Sequence, residues 1–554
     1  MRVRALALAA LVAGCGAGEP PLSAVLITLD TTNRDALGCF GQALALTPNL
    51  DRIAKEGIAF DQARTVAPIT LPAHTSMLTG LVPLRHGVRD NALAPLARSA
   101  ETLSERLSSA GFQSAAFVSA VVLAAPYGLD QGFGVYDAPL GSAGGATAHM
   151  LERPAQDTVR AASGWLRARD RARPFFLWLH AFEPHEPYAP ARELLELARG
   201  DPYLGEVAAL DRALGELLRV LEEEHGLDHL VLIVSADHGE MLGEHGERTH
   251  SVLCYERALR VPLLVRLPGG AHAGERVTSP VCVTDVMPTF LEALALPVPA
   301  GLDGQSLLAP APRRGTYFES YTGYLNYGWS PITGWTDGER KLLHGTASEL
   351  YDLARDPAEQ ENLLPGESAG AERLHHAIEA LSALPRIERG ADEHLDDGSR
   401  ADIQALGYAG AAAGRSAFPE PLADTGLPDA RTRMDELERF YRAVLRHNNG
   451  KTDEAIAELT ALTQANPGNA TALNVLATYL FQEKRPAEAL AVLERIPEHA
   501  RERVTVQDLL GHSLEQLGRP AEAVGHFERA LALKPGDPHQ QQDLARVRAL
   551  LGAR

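Results

Sequence analysis

Short, continuously apolar runs separated by longer helical patterns constrain the fold of this chain more than any other feature. They recur between residue 24 and about residue 390. Such runs are typical of strands buried on both faces of a mostly parallel sheet, with helices in the crossover connections. Their order therefore predicts an α/β domain in which a mostly parallel sheet lies between helices. The strand candidates are residues 24–29, 115–119, 175–179, 230–235 and 262–266.

Two later segments have different patterns. In residues 334–353, Asp337 and Gly338 form a turn signal between short strand-like pieces. This pattern predicts a small antiparallel subdomain at the end of the α/β domain, which we place at residues 24–390. Residues 391–432 are rich in Ala, Gly, Asp and Pro with weak periodicity, which predicts a linker.

The tail of the chain repeats in steps of 34 residues. Small residues recur in register, which lets paired helices pack closely. The pattern resembles the tetratricopeptide repeat family and implies an all-α solenoid over residues 433–554 that ends in a capping helix. The matching positions are Glu436, Ala470 and Val504 at the start of each unit, and Ala443, Ala477 and Gly511 at a small residue.

The N-terminus has the pattern of a secretory signal peptide. A basic start with Arg2 and Arg4 precedes an apolar run that ends shortly before Cys15. Residues 11–15 resemble a bacterial lipobox, in which the cysteine is lipidated. The resemblance implies a signal peptide over residues 1–15 and a lipoprotein of the cell envelope, anchored to a bacterial membrane and facing the periplasm or the exterior. A plain signal peptide is the alternative.

Charge and cysteine content narrow the classes of partner. The formal net charge of −20 argues against a nucleic-acid partner, because phosphate backbones are bound by Lys and Arg. A phosphate or sulfate ester substrate remains compatible, since a metal ion can supply the local positive charge. The cysteines form no C-x-x-C pair, which argues against a zinc knot. A disulfide among Cys39, Cys254 and Cys282 is left open by the sequence.

Polar side chains follow three of the predicted strands at the point where each strand ends. Asp30 follows the first strand candidate, and His180 and His185 follow the third. Asp237 and His238 follow the fourth. Ligands bind in the crevice beyond the carboxyl ends of the strands in open α/β sheets. Because aspartate and histidine suit Zn²⁺ or Mn²⁺, the sequence predicts a metal site at this edge.

Thr70 lies where a helix is predicted to begin. Pro72 suits the first turn of that helix, and Gly80 suits its end. One interpretation is that Thr70 caps the helix through its side chain. The other is that Thr70 is a nucleophile whose alkoxide is stabilised by the metal and by the N–H groups at the helix end.

Several motifs resemble the sulfatase family of the alkaline phosphatase superfamily, in a consistent order from residue 24 to about residue 365. The family's nucleophile motif, C-x-P-S-R-x-x-L-L-T-G, corresponds to residues 70–80. The resemblance implies that family's fold and a metal-dependent ester hydrolase or phosphotransferase. The other matching segments are residues 25–30, 37–41, 47–51, 235–240, 243–246, 260–263 and 349–353.

The nucleophile position departs from the sulfatase pattern. Sulfatases carry Cys or Ser there, which is oxidised to the aldehyde formylglycine, whereas Thr70 has a methyl group on its β-carbon and would give a ketone. Ala73 and His74 replace the Ser-Arg that the modifying enzyme reads, and Thr31 replaces a second strand-end aspartate. Threonine here resembles nucleotide pyrophosphatase/phosphodiesterases, phosphoethanolamine transferases and lipoteichoic acid synthases.

These threonine branches imply roles for individual residues. One or two divalent ions are expected, with Zn²⁺ or Mn²⁺ favoured and Ca²⁺ also compatible. Asn91 resembles the asparagine that holds a substrate oxygen in the phosphodiesterases. The branches also imply in-line attack on phosphorus through a covalent phospho-threonine. The residues that match the ligand set of the principal metal are Asp30, Thr70, Asp237 and His238.

The remaining histidines follow from the same resemblance. His180 and His185 resemble the family's substrate-side histidines, and His250 lies where sulfatases carry a lysine that faces the ester. His185 and His250 are therefore predicted to bind substrate and to take part in catalysis, and His250 can protonate the leaving group or join a second metal. His74 and His245 are weaker candidates.

We predict an enzyme that acts on phosphate esters, chiefly phosphodiesters, of a small molecule, a lipid or a glycan. One alternative is a sulfuric ester hydrolase that works without formylglycine. Another is an inactive sulfatase-like scaffold whose repeats bind a protein partner. Whether the protein is an enzyme or an inactive scaffold, the repeats are expected to bind a protein or peptide, to mediate self-association or to cover the α/β domain.

Overall fold

A computed structural model describes residues 20–91, 93–138, 153–308, 315–390, 418–533 and 537–552. The predicted signal peptide and lipobox, including Cys15, lie outside the described residues, as does most of the predicted linker. Cys39, Cys254 and Cys282 are free thiols in this structure. Among the helices of the described ranges, none combines the length and the apolar character that spanning a membrane requires.

Fourteen strands lie in the described part of the chain, and they form one large sheet and two small ones. The predicted strand regions at 24–29, 175–179 and 230–235 are all strands, and short strands that the sequence pattern did not indicate are added at the edges. In chain order the strands are β1 (Ser23–Leu29), β2 (Ile58–Phe60), β3 (Ala63–Arg64), β4 (Gln113–Phe117), β5 (Val135–Asp137), β6 (Phe175–Ala181), β7 (Leu230–Ala236), β8 (Leu263–Arg266), β9 (Glu275–Val277), β10 (Val281–Cys282), β11 (Thr316–Ser320), β12 (Ile332–Thr336), β13 (Arg340–His344) and β14 (Glu349–Asp352).

The large sheet has the order β5-β4-β6-β1-β7-β8-β2-β9. Its centre is parallel, because β1 pairs in parallel with both β6 and β7, whereas β8 runs antiparallel to β7 and β2. The prediction of a mostly parallel sheet is confirmed. Leu29 is paired with Ala181 on one side and with Ala236 on the other. The carboxyl ends of the three central strands therefore lie side by side.

The helices of the α/β domain form two groups. The first group contains α1 (Pro48–Glu56), α5 (Ala155–Ala168) and α7 (Pro202–Glu224), and the second contains α2 (Thr70–Thr79), α4 (Leu103–Ser109) and α9 (Val286–Ala293). The central strands are buried on both faces, which explains their continuous apolar sequence. The other helices described in this domain are α3 (Pro83–His86), α6 (Arg192–Leu197), α8 (Glu256–Leu259) and α10 (Ser368–Ser382).

The predicted antiparallel subdomain is the sheet β11-β12-β13-β14. Its central turn follows the sequence signal, because Asp337 Oδ1 accepts hydrogen bonds from the backbone N–H groups of Glu339 and Arg340. Gly338 has φ +90°, a conformation that favours glycine. Helix α10 packs against β12 and β13.

The tail forms paired helices, as the repeat predicts. Ala443, Ala477 and Ala489 are fully buried between helices, and Gly511 leaves room for the ring of Phe527, which would lie 2.7 Å from an added Cβ. The pairs are α11 with α12, α13 with α14 and α16 with α17, and α18 closes the array. These helices are α11 (Met434–Asn448), α12 (Thr452–Ala465), α13 (Ala470–Gln482), α14 (Pro486–Leu493), α15 (Glu498–Arg501), α16 (Val504–Gln516), α17 (Pro520–Leu533) and α18 (Pro538–Gly552).

A buried ion network joins the small antiparallel sheet to the α/β domain. Lys341 of β13 is fully buried, with its Nζ 2.9 Å from Glu359 Oε1 and 3.3 Å from Glu256 Oε1. Arg64 also pairs with Glu256, at 2.8 Å. Removing one partner from a buried pair is costly, because the other charge is left without compensation.

We expect the substitution Lys341→Ala to lower the free energy of unfolding by about 3–5 kcal/mol, since Glu359 loses its cation inside the protein. Chemical denaturation of the purified protein measures this change. Arg192→Ala is the control, because Arg192 pairs with Glu196 at an exposed position and contributes about 0.5 kcal/mol or less. If the two substitutions lowered the free energy of unfolding equally, the buried network would not stabilise the protein as expected.

Candidate active site

The strand-end residues converge as the sequence predicts. Asp30 directly follows β1, and Asp237 and His238 directly follow β7. His180 is the penultimate residue of β6, on the other side of β1. All four side chains are fully buried at the same edge of the sheet. The parallel register brings together residues that are about 200 positions apart in sequence.

Asp30, Asp237, His238 and Thr70 form one cluster of side-chain donor atoms. His238 Nε2 lies 3.4 Å from Asp237 Oδ2 and 3.7 Å from Asp30 Oδ1. Thr70 Oγ1 lies 3.4 Å from the same nitrogen. The structure therefore brings together all four residues that the sequence predicts as metal ligands.

The free atoms of this cluster are those that a cation requires. Asp237 Oδ1 accepts hydrogen bonds from the N–H groups of Thr31 and His238, whereas Asp237 Oδ2 and both carboxylate oxygens of Asp30 have no hydrogen-bond partner among the described residues. His238 Nδ1 lies 3.0 Å from the carbonyl oxygen of Gly239 and donates to it, so its Nε2 lone pair faces the carboxylates.

Electrostatics lead to the same conclusion. Burial raises the pKa of Asp30, and burial together with the charge of Asp30 raises the pKa of Asp237 to about 7. Ligand oxygens of the two carboxylates lie within 4.8 Å of each other. Two buried carboxylates this close repel one another unless a cation lies between them. The donor set of two carboxylates, one imidazole and one hydroxyl fits a divalent cation.

Thr31 replaces the second aspartate of the family pattern, and it contacts the cluster only through its backbone N–H, which donates to Asp237 Oδ1. Its hydroxyl donates a 2.7 Å hydrogen bond to the carbonyl oxygen of Pro184. The side chain thereby ties the loop after β1 to the loop after β6. The cluster consequently has one carboxylate fewer at this position than the sulfatase pattern.

Thr70 is the first residue of α2, and Ile69 occupies the N-cap position. The side chain of Thr70 makes no capping hydrogen bond, so the interpretation of Thr70 as an N-cap is wrong. Asn91 Oδ1 instead accepts a 2.9 Å hydrogen bond from the N–H group of Leu71. Asn91 therefore holds the start of α2 in place and leaves the Thr70 hydroxyl facing His238.

His74 and His180 form an inner pair behind the carboxylates. His74 Nδ1 lies 2.8 Å from the carbonyl oxygen of Thr70 and 3.7 Å from Asp237 Oδ2. His180 Nε2 lies 3.3 Å from Asp30 Oδ2. Burial lowers the pKa of His74 to about 3 and that of His180 to about 4, so both rings are neutral at pH 7. His74, which the sequence ranked as a weaker candidate, contacts two members of the cluster, Thr70 and Asp237.

His185 and His250 form an outer pair. The ring of His250 lies 4.5 Å from that of His238 and 5.2 Å from that of His185. Burial lowers the pKa of both histidines, and that of His250 falls to about 4. His245 is not in this group, because it stacks on Tyr255 and its Nε2 lies 3.0 Å from the carbonyl oxygen of Ala358.

Glu240 is a site residue that the sequence reasoning did not single out. It is fully buried, and its Oε1 lies 3.1 Å from His250 Nδ1. Its Oε2 accepts a 3.0 Å hydrogen bond from the hydroxyl of Tyr188. Burial raises the pKa of Glu240 to about 7. The only indication of Glu240 in the sequence is its position three residues after Asp237, within the same family motif.

The first repeat helix lies beside the loop that carries His250. Tyr441 of α11 shares side-chain hydrogen bonds with Thr249 and with Tyr327. Met434 lies against Gly246, where an added Cβ would be 3.0 Å from the Met434 side chain. Asn466 donates a 3.0 Å hydrogen bond to the carbonyl oxygen of Tyr327. The repeats therefore pack directly on the domain that contains the site.

Comparison with protein families agrees with this geometry. The sulfatase family profile matches residues 23–296, and the profile of the N-sulphoglucosamine sulphohydrolase C-terminal region matches residues 243–383. Tetratricopeptide repeat profiles match residues 448–512 and 504–537. The chain therefore belongs to the sulfatase family, part of the alkaline phosphatase superfamily, and carries tetratricopeptide repeats in its tail. The family resemblance of the sequence is confirmed.

Several relatives at low identity are named as sulfatases. An N-acetylglucosamine-6-O-sulfatase of Bacteroides thetaiotaomicron is 25% identical over 480 residues, covering 64% of this chain and 85% of the relative. Human arylsulfatase A is 26% identical over 458 residues, covering 68% of this chain and 90% of the relative. A phosphonate monoester hydrolase of Agrobacterium radiobacter has the same fold, with a TM-score of 0.53, 21% identity and coverage of 66% and 95%.

We expect Asp237→Asn to weaken the binding of a divalent cation by at least about 100-fold, because it removes a charged donor from the cluster. Isothermal titration of the metal-free protein with Zn²⁺ or Mn²⁺ measures this change. The metal-free variant should unfold at a temperature no lower than the metal-free wild type, since asparagine can keep the backbone hydrogen bonds of Asp237 Oδ1 and removes one repelling charge.

Asp61→Asn is the matched control, because Asp61 pairs with Arg34 and Arg276 away from the cluster. It should bind the cation like the wild type. Unchanged affinity in Asp237→Asn, or a loss shared with Asp61→Asn, would show that the cluster is not the cation site.

Proposed function

We propose that this sulfatase-family hydrolase acts on phosphate esters, chiefly phosphodiesters, and on phosphonate monoesters that share their single negative charge, with Thr70 as the nucleophile. The observation that carries the proposal is the position of the Thr70 hydroxyl. It lies at the start of α2, 3.4 Å from His238 Nε2, beside the free carboxylate oxygens of Asp30 and Asp237.

The identity of residue 70 decides between phosphorus and sulfur chemistry. The methyl group on the β-carbon of threonine prevents oxidation to formylglycine, on which sulfatases of the family rely. Attack by a threonine alkoxide on sulfur would leave a sulfated threonine with no easy route of release. A phosphorylated threonine, in contrast, is released by in-line attack of water or of an acceptor hydroxyl.

The donor set favours Zn²⁺ or Mn²⁺ over Ca²⁺, because an imidazole accompanies the carboxylates. Asp30, Thr70, Asp237 and His238 would hold such a cation, which would lower the pKa of the Thr70 hydroxyl and offset the charge of the ester. Asp30 and Asp237 fix its position through the paired ends of β1 and β7. The second set of donors, His74, His180 and Asp237, is the alternative location for an ion in this site.

Each proton and bond can be assigned to a residue of this chain. Thr70 Oγ1 loses its proton to solvent and forms a bond to phosphorus, while the bond from phosphorus to the leaving oxygen breaks. His250 donates the proton that the leaving oxygen needs from Nε2. Glu240, whose pKa burial raises to about 7, is protonated in this step and donates to His250 Nδ1, which leaves the ring proton on Nε2. His185 lies next to His250 and contacts the substrate. Water then forms a bond to phosphorus while the bond from phosphorus to Thr70 Oγ1 breaks. One proton of that water and the proton earlier released to solvent restore Thr70 and His250.

A second candidate function is a sulfuric ester hydrolase without formylglycine. It is favoured by the relatives named above, which are sulfatases. In that case the nucleophile would be a water molecule activated at the same cluster, and Thr70 would only serve as a ligand of the cation. The two functions differ in their dependence on Thr70.

The location and partners of the enzyme are part of the proposal. A lipid anchor at Cys15 would place the enzyme in the cell envelope, on the surface of a bacterial membrane. The substrate would then be a small molecule, lipid or glycan ester available there. A protein or peptide would bind along the repeats, as in other tetratricopeptide arrays, on surfaces away from the contact with the catalytic domain.

We expect Thr70→Ala to reduce turnover of an aryl phosphodiester at least about 1,000-fold, because the nucleophile is removed while the fold is kept. Side-by-side assays of aryl phosphate monoesters, diesters, a phosphonate monoester and an aryl sulfate, with Zn²⁺ or Mn²⁺ added, measure this change. Mass spectrometry of the peptide containing Thr70 after rapid acid quench should show a phosphoryl group in the wild type.

Thr79→Ala is the matched control, since Thr79 lies at the other end of α2 and its hydroxyl bonds to the carbonyl oxygen of Thr75. It should keep most of the activity. Aryl sulfate turnover that survives Thr70→Ala would overturn the phosphoryl-transfer proposal in favour of the sulfatase alternative. If wild type and variant turn over no ester, the inactive-scaffold interpretation is supported.

We expect His250→Ala to slow the release of poor leaving groups by about 100-fold or more and to affect good leaving groups little, because a good leaving group needs no proton. Turnover of a series of aryl diesters with increasing leaving-group pKa measures this dependence. His245→Ala is the control, because His245 packs on Tyr255 outside the cluster. A uniform loss across the series would assign His250 a binding role instead.

A further inference from the structure

A second group of potential metal ligands lies in the repeat tail, far along the chain from the catalytic cluster. Asp508 and His512 are four residues apart on α16, the first helix of the third repeat. His539 and Asp543 are four residues apart on α18, the closing helix. Residues at this spacing project from the same face of a helix, so each helix presents one aspartate and one histidine to the other.

The donor atoms of Asp508, His539 and Asp543 converge, and His512 lies against the two aspartates. His512 Nε2 lies 3.5 Å from Asp508 Oδ1 and 3.4 Å from Asp543 Oδ2. His539 Nδ1 lies 2.9 Å from Asp543 Oδ2. Donor atoms of Asp508, His539 and Asp543 all lie within 4.8 Å of one another. In a tetrahedral zinc site with bonds of about 2.0–2.2 Å, the donor atoms are about 3.3–3.6 Å apart.

Asp543 supplies an independent observation. Its side chain is only 4% exposed, and its Oδ2 has no hydrogen-bond partner among the described residues. That oxygen is the one that faces both histidines. A buried carboxylate oxygen without a hydrogen bond is costly unless a cation or another donor compensates it.

Neighbouring groups orient the two carboxylates. Gln540 donates a 3.0 Å hydrogen bond to Asp508 Oδ1, and Arg546 bonds to the other oxygen of Asp543. Arg546 also pairs with Glu515, at 2.7 Å. Arg546 thus pairs with two carboxylates, and Asp508 adds a third that Arg546 does not contact, so the group has more carboxylates than guanidinium groups. A divalent cation would offset this excess.

We propose that Asp508, His512, His539 and Asp543 bind a divalent transition metal, with Zn²⁺ the best match to two imidazoles and two carboxylates. Hard cations such as Mg²⁺ and Ca²⁺ favour oxygen ligands alone and fit this set less well. The ion joins the closing helix to the third repeat. The role of this site is structural, because all four positions of a tetrahedral ion are filled by protein ligands.

Zinc bound at the catalytic cluster would obscure zinc bound in the tail. The test therefore uses the whole chain with the substitution Asp237→Asn, which weakens binding at the catalytic cluster. After treatment with chelator and equilibration with Zn²⁺, elemental analysis gives the zinc content of Asp237→Asn and of Asp237→Asn/His512→Gln/His539→Gln. We expect the second protein to contain one ion fewer per chain. His526→Gln in the same background is the control, since His526 lies in the same repeat and bonds to Gln507.

Hydrogen exchange of residues 538–552 is the second measurement. Zn²⁺ should slow exchange in this segment of the wild type and leave it unchanged in His539→Gln. Because the His539 side chain is 68% exposed, we expect the helix to remain folded in this variant. Equal zinc content with and without the two histidines, or slowing that persists in His539→Gln, would overturn the proposal. Aryl ester turnover by His539→Gln should equal that of the wild type.

Discussion

The repulsion between two buried carboxylates is the constraint on which the rest of this structure depends. Asp30 and Asp237 lie at the ends of neighbouring parallel strands, with three of their four oxygens lacking a hydrogen bond among the described residues. Burial makes this arrangement unfavourable for a protein without a cation, and the raised pKa of both groups reflects it. A site of this kind is maintained for what it binds, since a stable core would place apolar groups there.

The surrounding residues are arranged around that charge. His238 and Thr70 complete the donor set, and the hydrogen bond from Leu71 to Asn91 fixes the start of α2 so that the hydroxyl of Thr70 faces inward. The contact between His250 and Glu240 orients the outer histidine in the same way. Catalytic groups are most effective when other contacts hold them in place before the substrate arrives.

Two further ionic clusters connect separate parts of the structure. The buried network of Lys341, Glu256 and Glu359 ties the small sheet to the α/β domain. The aspartates and histidines of α16 and α18 join the closing helix to the repeats in an analogous way. Contacts of Tyr441 and Asn466 then place the repeats against the catalytic domain. The tail is therefore an integral part of the molecule around the site.

The sequence alone predicted Asp30, Thr70, Asp237 and His238 as site residues through a family resemblance, and it determined the central strands, their mostly parallel arrangement, the small antiparallel sheet and the repeat. The sheets and the repeat follow from local patterns, because strands buried on both faces and amphipathic helices each have a characteristic order of apolar residues along the chain. Only the tertiary structure decided the roles of Asn91, His74 and Glu240, and the convergence of Asp508 with Asp543. Their partners are distant in sequence, and whether a polar side chain meets a donor, a charge or solvent is fixed only when the chain packs.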